Sequence, residues 1–201
     1  MSHFSTIVFA EDPQDVDSLM EPYRETDDPS SLYTEFEPDR DGPFDYNAQQ
    51  TGYWYNPSGQ WDYYISGGYW NGYICPKSQT QFDPNLLPAS MADFSFDRAL
   101  AAKAKREWEV AVEGSPRRDD EFYPYYGHRH YLSRYRSKEK FIEFSGFWVP
   151  SAYVDIFGFW HNEGSWTSSF ERYSDYRANF YAALKYAIEQ NQYIALLDCH
   201  I

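Results

Sequence analysis

The sequence predicts an α+β fold, in which a mostly antiparallel sheet pairs its first and last strands and packs two helices on one face. Three observations predict it. Both ends of the chain have the pattern of a strand, an aromatic and glycine-rich segment lies between them, and two amphipathic helices follow that segment. The predicted order is β, ββ, α, ββ, α, β. A chain of 201 residues is expected to form a single domain over 1–201.

The first predicted strand, His3–Ala10, alternates in polarity and is β-branched in its middle. A segment at 11–48 follows, rich in proline and acidic residues and with little periodicity. This composition predicts an acidic, partly flexible excursion with one helical turn around 16–23. Residues 11–45 carry thirteen acidic side chains against two arginines, a net charge of −11 in a chain whose formal net charge is −14.

This acidity restricts the partners of the protein. Phosphate repulsion disfavours direct nucleic-acid binding. One interpretation of 11–45 is an acidic face that imitates DNA for a basic partner. The other is a solvated loop that folds onto the basic segment 98–140, which carries eleven of the seventeen Lys and Arg residues.

The segment Tyr53–Gly72 is the most informative part of the sequence. Its Asn56-Pro57-Ser58-Gly59 has the residues of a tight turn and predicts a hairpin. Alternation then puts Trp61 and Tyr63 on one face of the second strand. Gly67-Gly68 lets the backbone bend or approach another group closely, after which the strand resumes. So much aromatic surface is typical of either a small core or a binding face.

The rest of the chain supplies the helices and the remaining strands. An apolar stripe predicts a helix over Ser95–Glu113 that Gly114 ends. Phe141–Ile156 is predicted to form one or two strands. A capping box opens a second helix at Ser168 that runs to about Gln190, and Tyr193–Ile201 is predicted to be the last strand.

The cysteine content restricts the kind of site. Only Cys75 and Cys199 are present, without a C-x-x-C pair, which excludes a disulfide framework and disfavours structural zinc and iron–sulfur sites. Cys199 beside His200 is expected to be a buried structural thiol, because neighbours on a strand point to opposite faces. No apolar run is long enough for a membrane helix and no signal peptide is recognisable, so a cytoplasmic setting without membrane contact is expected.

Three blocks of the sequence share their pattern with a known family. The chain opens M-S-H-F-S-T-I-V-F-A, contains Y-N-P-S-G-Q-W-D-Y-Y-I-S-G-G-Y-W, and ends I-A-L-L-D-C-H-I. It resembles a widespread family of uncharacterised accessory proteins of tailed bacteriophages. These proteins open M-S-H-F-T-V-L-V-I-G, contain N-P-x-x-K-W-D-W-Y-x-I-G-G-R-W, and close V-V-D-C-H-I. Another block, from Pro150 through Trp160-His161 to Trp166, is similar as well, whereas Tyr69 stands at the position of the family arginine.

The resemblance implies a phage origin and a role in the cytoplasm of the infected host. The first functional hypothesis is therefore an accessory protein that binds and inhibits or sequesters a host component, such as an anti-phage defence protein or a small-molecule signal. No cofactor is expected under this hypothesis. The alternative is a small metal-dependent or acid–base hydrolase that acts on a nucleotide-like substrate and uses a divalent metal. The chain has no Gly-rich phosphate loop, no H-E-x-x-H motif and no nucleophile elbow.

The alternative needs polar residues that converge. If the two terminal strands pair, His3 and His200 come close together, and Asp198 shares a face with His200. The candidate catalytic or metal-binding residues are His3, Asp62, His161 and His200. The other interpretation is that each histidine is a polar strand end satisfied by the backbone. His128 and His130 are expected to lie in a solvated loop.

The candidate residues for ligand or partner binding come from the aromatic segment and from the block around residue 160. They are Trp54, Asn56, Trp61, Tyr64, Gly67, Gly68, Tyr69, Trp70 and Trp160. Four tryptophans, Trp61, Trp70, Trp160 and Trp166, are expected to form one aromatic cluster.

Overall fold

The structure is a computed structural model that describes residues 2–77, 82–93, 98–116, 135, 137–145, 148–163 and 170–201. The chain divides into two compact units, one formed by Met1–Asp93 with Pro150–Ile201 and the other by Phe94–Val149. The single domain over 1–201 stays a prediction. None of the helices in the described ranges is long and apolar enough to cross a membrane.

The described elements mix strands and helices, which confirms the α+β class. The strands are β1 His3–Ala10, β2 Glu35–Pro38, β3 Phe44–Asp45, β4 Gln50–Tyr55, β5 Tyr63–Ser66, β6 Cys75–Pro76, β7 Leu86–Pro88, β8 Ala92–Asp93, β9 Ala152–Val154, β10 Trp160–Asn162 and β11 Tyr193–His200. The α-helices are α1 Val16–Met20, α2 Arg98–Ala111, α3 Lys138–Ser145 and α4 Phe170–Glu189. Short 3₁₀ helices lie at Pro13–Asp15, Glu21–Tyr23, Gly68–Trp70 and Ala89–Met91.

A six-stranded sheet organises the larger unit, in the order β10-β9-β1-β11-β5, with β7 also paired to β11. β1 and β11 pair antiparallel over their whole length, from His3 opposite His200 to Ala10 opposite Tyr193. The β1–β9 pair is parallel, and the other pairs of this sheet are antiparallel. The predicted pairing of the first and last strands is therefore confirmed, as is a mostly antiparallel sheet.

One face of the sheet is covered by α4. Phe180 of this helix is fully buried and its ring lies 6.0 Å from that of Phe9 and 5.6 Å from that of Tyr153. Tyr176 and Leu184 on the same side of the helix are also buried, as the apolar stripe predicts. Since α2 belongs to the other unit, the placement of two helices on one face stays a prediction.

The opposite face carries a second core, which the sequence prediction omits. α1 contributes Val16 and Met20, and these pack with Val8, Leu197 and Cys199 of the two central strands. Trp61 belongs to this core at 5 % exposure, and Trp160 packs against it. Two of the four tryptophans thus share one core, as expected.

Trp70 lies outside that core. Its ring contacts those of Tyr69 and Tyr73, at 5.2 Å and 5.4 Å. Trp166 lies outside the described residues. The expectation of one cluster is therefore wrong for Trp70, because the chain turns into a 3₁₀ helix at Gly68–Trp70 instead of continuing as a strand.

The predicted hairpin around Asn56-Pro57-Ser58-Gly59 is also wrong. The turn exists, since the Gly59 N–H donates to the Asn56 carbonyl at 2.9 Å, but β4 and β5 do not pair. β4 instead forms a small three-stranded sheet between β2 and β3. The Asn56 amide donates to the carbonyls of Pro22 and Arg24, and these bonds direct the chain onto the main sheet.

The smaller unit contains α2 and α3. Ala101, Ala104 and Trp108 form the buried stripe of α2, and Gly114 follows its end with a φ of +74°. The segment predicted as a strand from Phe141 is helical through Ser145. Short apolar runs are compatible with either a strand or a helix. Here contacts with α2 accompany the helix: the Phe141 ring lies 5.8 Å from that of Trp108, and the Lys138 Nζ lies 2.9 Å from Glu109 Oε1.

Replacement of Trp61 by Ala should lower the free energy of unfolding by about 3–5 kcal/mol, because a buried indole leaves a cavity in the core. Urea denaturation measures the change. Tyr69→Ala is the control: Tyr69 is 72 % exposed, and its loss should change stability by less than about 0.5 kcal/mol. Equal losses in the two variants would contradict the assignment of Trp61 to the core.

Candidate functional site

The pairing of the chain's first and last strands brings three polar side chains together. His3 lies directly opposite His200, and their rings are 4.0 Å apart. Asp198 precedes His200 by two residues, so both point to the same face of the sheet. The His3 Nδ1 lies 3.2 Å from both carboxylate oxygens of Asp198, and the His200 Nε2 lies 3.7 Å from Oδ2. We call His3, Asp198 and His200 the terminal cluster.

The terminal cluster is buried on one side and open on the other. The Asp198 and His200 side chains are 2 % and 4 % exposed, whereas that of His3 is 43 % exposed. Neither ring nitrogen of His200 has a hydrogen-bond partner. A buried imidazole without a partner is uncommon, because it loses its bonds to water without replacement.

The Gly67-Gly68 pair supports the carboxylate of the cluster. Gly68 has a φ of +47°, and a Cβ built there would lie 2.4 Å from the side chain of Asp198. The backbone of the following turn approaches closely enough for the Tyr69 N–H to donate to Asp198 Oδ2 at 2.9 Å. The close approach that the sequence predicts for the two glycines is thus an approach of Gly68 to Asp198 and of Gly67 to Asn85.

Aromatic rings surround the histidines. Tyr63 lies opposite His200 on β5 and stacks on its ring at 4.1 Å and 17°. The Tyr69 ring lies 6.2 Å from that of His3. These contacts fix the plane of the buried imidazole and partly shield the exposed one.

The structure does not bring Asp62 or His161 into the terminal cluster. Asp62 donates its backbone N–H to the His200 carbonyl at 2.8 Å, and its side chain is exposed. His161 is on β10 and lies in register with Tyr153 of β9, which pairs with Ile7 of β1. It is therefore two strands away from His3 and about 13 Å further along the sheet. The four candidate residues do not form one site.

His161 forms a separate pair with Asp155. Its Nε2 lies 2.8 Å from Asp155 Oδ2, and its ring stacks on Tyr153 at 4.5 Å and 14°. Burial, with the charge of Asp155, raises the pKa of Tyr153 to about 12, so its hydroxyl stays protonated at neutral pH. The pair lines a pocket of about 220 Å³ together with Phe157, Asn179 and Tyr186.

The lining of this pocket bears on the nucleotide-like substrate of the alternative hypothesis. Its described lining residues include Asp155 and no lysine or arginine. Phosphate recognition in proteins depends on positive side chains or on backbone amides. The pocket therefore suits a neutral or apolar ligand better than a nucleotide.

Most of the candidate binding residues stabilise the fold. Asn56 is buried and anchors the turn, Trp61 lies in the core, and Trp160 packs against that core. Trp54 packs against Phe36 in the small sheet at 5.4 Å. Tyr64 contacts Trp61, and its hydroxyl donates a hydrogen bond to Asp17. Burial raises the pKa of Tyr64. These contacts give the residues a structural role.

Cys199 is a buried thiol, as expected from strand alternation. It lies on the face opposite His200, in the core with Val8 and Leu197. Burial raises the pKa of the thiol to about 12, which keeps it protonated and unreactive at neutral pH. His128 and His130 lie outside the described residues.

The small sheet presents a surface that joins the predicted acidic excursion, which contains β2 and β3, to the start of the aromatic segment in β4. Glu35 and Glu37 of β2 lie opposite Tyr55 and Tyr53 of β4, and Phe44 of β3 lies opposite Thr51. Directly opposed residues share a face. Phe44, Tyr53 and Tyr55 are 52 %, 49 % and 40 % exposed, and both glutamates are exposed. We call Glu35, Glu37, Phe44, Tyr53 and Tyr55 the acidic–aromatic face.

The signal for this face was present in the sequence. Glu35 and Glu37 alternate with Phe36, as Tyr53 and Tyr55 alternate with Trp54, and alternation is typical of strands with one solvated face. The density of proline and acidic residues in 11–48 predicts an excursion instead, so the two strands within it do not follow from composition.

Comparison of the chain with protein-family models, with curated proteins and with solved structures found no match in any of the three.

Gly68→Ala should destabilise the protein more than Gly72→Ala. Both glycines have positive φ, which costs an alanine about 1–2 kcal/mol. A methyl group at position 72 meets nothing within 4 Å, whereas one at position 68 displaces the buried Asp198. Chemical denaturation of the two variants measures the difference. Equal losses would show that the turn and Asp198 are not in close contact.

The stability that Cys199 contributes should fall as the pH rises. The thiol ionises near its ordinary pKa of 9.0 in the unfolded chain but at about 12 in the folded protein. Its contribution is complete below pH 9 and is lost between pH 9 and 12, by at most about 1.4 kcal/mol per pH unit. Urea denaturation of wild type and Cys199→Ala at pH 8 and about pH 10.5 should show a gap that narrows at the higher pH. A gap independent of pH would contradict the raised pKa.

Proposed function

We propose that this protein is a phage-encoded accessory protein that binds a basic host protein through the acidic–aromatic face. The observation that carries the proposal is the exposure of Phe44, Tyr53 and Tyr55 on one face beside two carboxylates. The resemblance to phage accessory proteins supports a role in the host cytoplasm, with a component of anti-phage defence as the target to inhibit or sequester.

The composition of the face favours a protein partner. Aromatic side chains, tyrosine above all, provide contact area at low entropic cost and are enriched at the centres of interfaces. Here Tyr53 and Tyr55 alternate along one strand, and Phe44 extends the apolar strip across the next. A partner surface with matching apolar residues would bury this strip.

The charge around the strip favours a basic partner. Glu35 and Glu37 lie beside the tyrosines, and the exposed Asp39 and Asp41 follow on the connection to β3. Asp28, in the preceding loop, has its pKa lowered by hydrogen bonds from the backbone and side chain of Ser30, so it is charged at neutral pH. Complementary charge accelerates association and excludes acidic partners such as nucleic acids.

The acid–base form of the hydrolase alternative has a specific observation in its favour, the His161–Asp155 pair in its pocket. A histidine oriented by a carboxylate is a common general base. The aromatic lining and the absence of a positive side chain among the described lining residues restrict such an activity to uncharged substrates.

Association through the acidic–aromatic face should depend on salt and on its two glutamates. The probe is an arginine-rich peptide that contains two aromatic residues, compared with a peptide in which glutamine replaces each arginine. The double variant Glu35→Gln with Glu37→Gln should slow association by roughly 3- to 10-fold. This is less than the roughly 10- to 1000-fold increase in association rate that electrostatic steering by a whole charged surface supplies, because only two charges are removed. Tyr53→Ala with Tyr55→Ala should mainly accelerate dissociation. Biolayer interferometry at several ionic strengths measures both rates.

The matched control removes the same charge elsewhere. Asp175→Asn with Glu189→Gln neutralises two exposed carboxylates of α4 and should leave the association rate within about twofold of wild type. A control that slows association as much as the face variant would contradict the proposal. So would binding that does not weaken with salt.

A second measurement tests the biological part of the proposal. The protein is expressed in bacterial strains that each carry one anti-phage defence system, and phage plating is counted. Plating should rise in a sensitive strain, the variant with both glutamates replaced should lose this effect, and His161→Gln should keep it. The opposite pattern would favour the acid–base alternative.

A further inference from the structure

We propose that the terminal cluster, His3, Asp198 and His200, binds a divalent transition-metal ion. This site is independent of the acidic–aromatic face and does not rest on the function proposed for that face. Its donors are two imidazole nitrogens and one carboxylate, and imidazole distinguishes Zn²⁺ and its transition-metal neighbours from Mg²⁺ and Ca²⁺.

The distances between the donors fit one ion. One ligand atom from each residue lies within 4.8 Å of the others, and the Asp198 carboxylate lies 3.2 Å from the His3 Nδ1 and 3.7 Å from the His200 Nε2. Tetrahedral zinc with ligands at 2.0–2.1 Å places neighbouring donor atoms about 3.3 Å apart. The three side chains therefore need little movement to share an ion.

The state of His200 is the second, independent observation. Its side chain is 4 % exposed, and both of its ring nitrogens lack a hydrogen-bond partner. Its ring lies 4.0 Å from that of His3, and one of its nitrogens faces the Asp198 carboxylate. An ion at the centre of the cluster would give this nitrogen a ligand bond and would balance the charge of the buried carboxylate.

The surrounding groups orient the donors. The Tyr69 N–H holds Asp198 Oδ2 at 2.9 Å, and the Tyr63 ring stacks on His200. Contacts of this kind around the ligands fix their geometry and raise metal affinity. The Gly68 backbone can support Asp198 only because no Cβ is present there.

The cluster has the form of an open site. Three protein ligands leave a coordination position for water or for a small ligand, and His3 connects that position to solvent because its side chain is 43 % exposed. A water molecule on a zinc ion of this kind ionises near neutral pH and is a nucleophile. Within the described residues, His3, Asp198 and His200 are the group of three potential ligand side chains that lie close enough together to hold an ion.

The test uses full-length protein from which any histidine tag has been removed, because His3 lies near the N-terminus. Metal-free protein is prepared with a chelator and titrated with Zn²⁺ by calorimetry. We expect one Zn²⁺ per chain. Titration with Co²⁺ should give the visible absorption bands of a low-symmetry nitrogen and oxygen site, and added Zn²⁺ should abolish them.

Three variants decide which residues bind the ion. His3→Gln removes the exposed ligand and should leave the fold intact, and His200→Gln removes the buried one. Each should weaken Zn²⁺ binding by more than about 100-fold, beyond the 10- to 100-fold that loss of an outer partner costs. His161→Gln is the matched control, since it removes a histidine that also contacts a carboxylate and a tyrosine ring, and its affinity should equal that of wild type.

Three results would overturn the site. The first is wild-type protein that binds neither Zn²⁺ nor Co²⁺ at micromolar protein concentration. The second is Zn²⁺ binding that survives in folded His3→Gln, and the third is Zn²⁺ binding that His161→Gln lowers as much as His3→Gln does. Circular dichroism tests whether each variant is folded. His3→Gln gives a decisive result even where His200→Gln fails to fold.

Discussion

The antiparallel pairing of β1 with β11 is the interaction on which the rest of the larger unit depends. The two strands pair over eight residues and lie at the centre of the sheet. On one side, β9 and β10 follow β1, and on the other side, β5 and β7 both pair with β11. Both strands are buried on both faces over most of their length. A shift of one residue in their register would exchange the two faces of either strand.

Because side chains alternate along a strand, neighbouring residues of β11 lie in two different environments. Cys199 points into the core formed with α1 and Trp61, whereas His200 and Asp198 point to the face that α4 covers further along. Thus one face contains an inert thiol in an apolar core, and the other contains two histidines and a carboxylate at the sheet end. Asp198 is buried in this position because the Gly68 turn closes over it and supplies a backbone N–H.

The acidic–aromatic face and the terminal cluster are positioned by different sheets of the larger unit. The face belongs to a three-stranded sheet whose other side is packed by Phe36 and Trp54, so its open side is free to contact a partner. The cluster lies where the chain's two terminal strands meet, and its geometry follows from the register of the main sheet. Changes to the carboxylates of one should leave the other intact, since separate pairings position them.

The sequence by itself determined the elements whose signal is local. Alternation and β-branched residues define β1 and β11, an apolar stripe defines α4, and the composition of 11–48 marks the acidic segment. The meeting of His3 with His200 followed as soon as the two terminal strands were paired, because antiparallel register places one directly opposite the other. Apart from that pair, only the tertiary structure decided which strands pair with which. A turn at Asn56–Gly59 suits a hairpin as well as a crossing between sheets, and the bonds from Asn56 to Pro22 and Arg24 select the crossing. Likewise, alternation places Asp198 on the face of His200, but the packing of the Gly68 turn on Asp198 is a contact between residues 130 positions apart that no local pattern encodes.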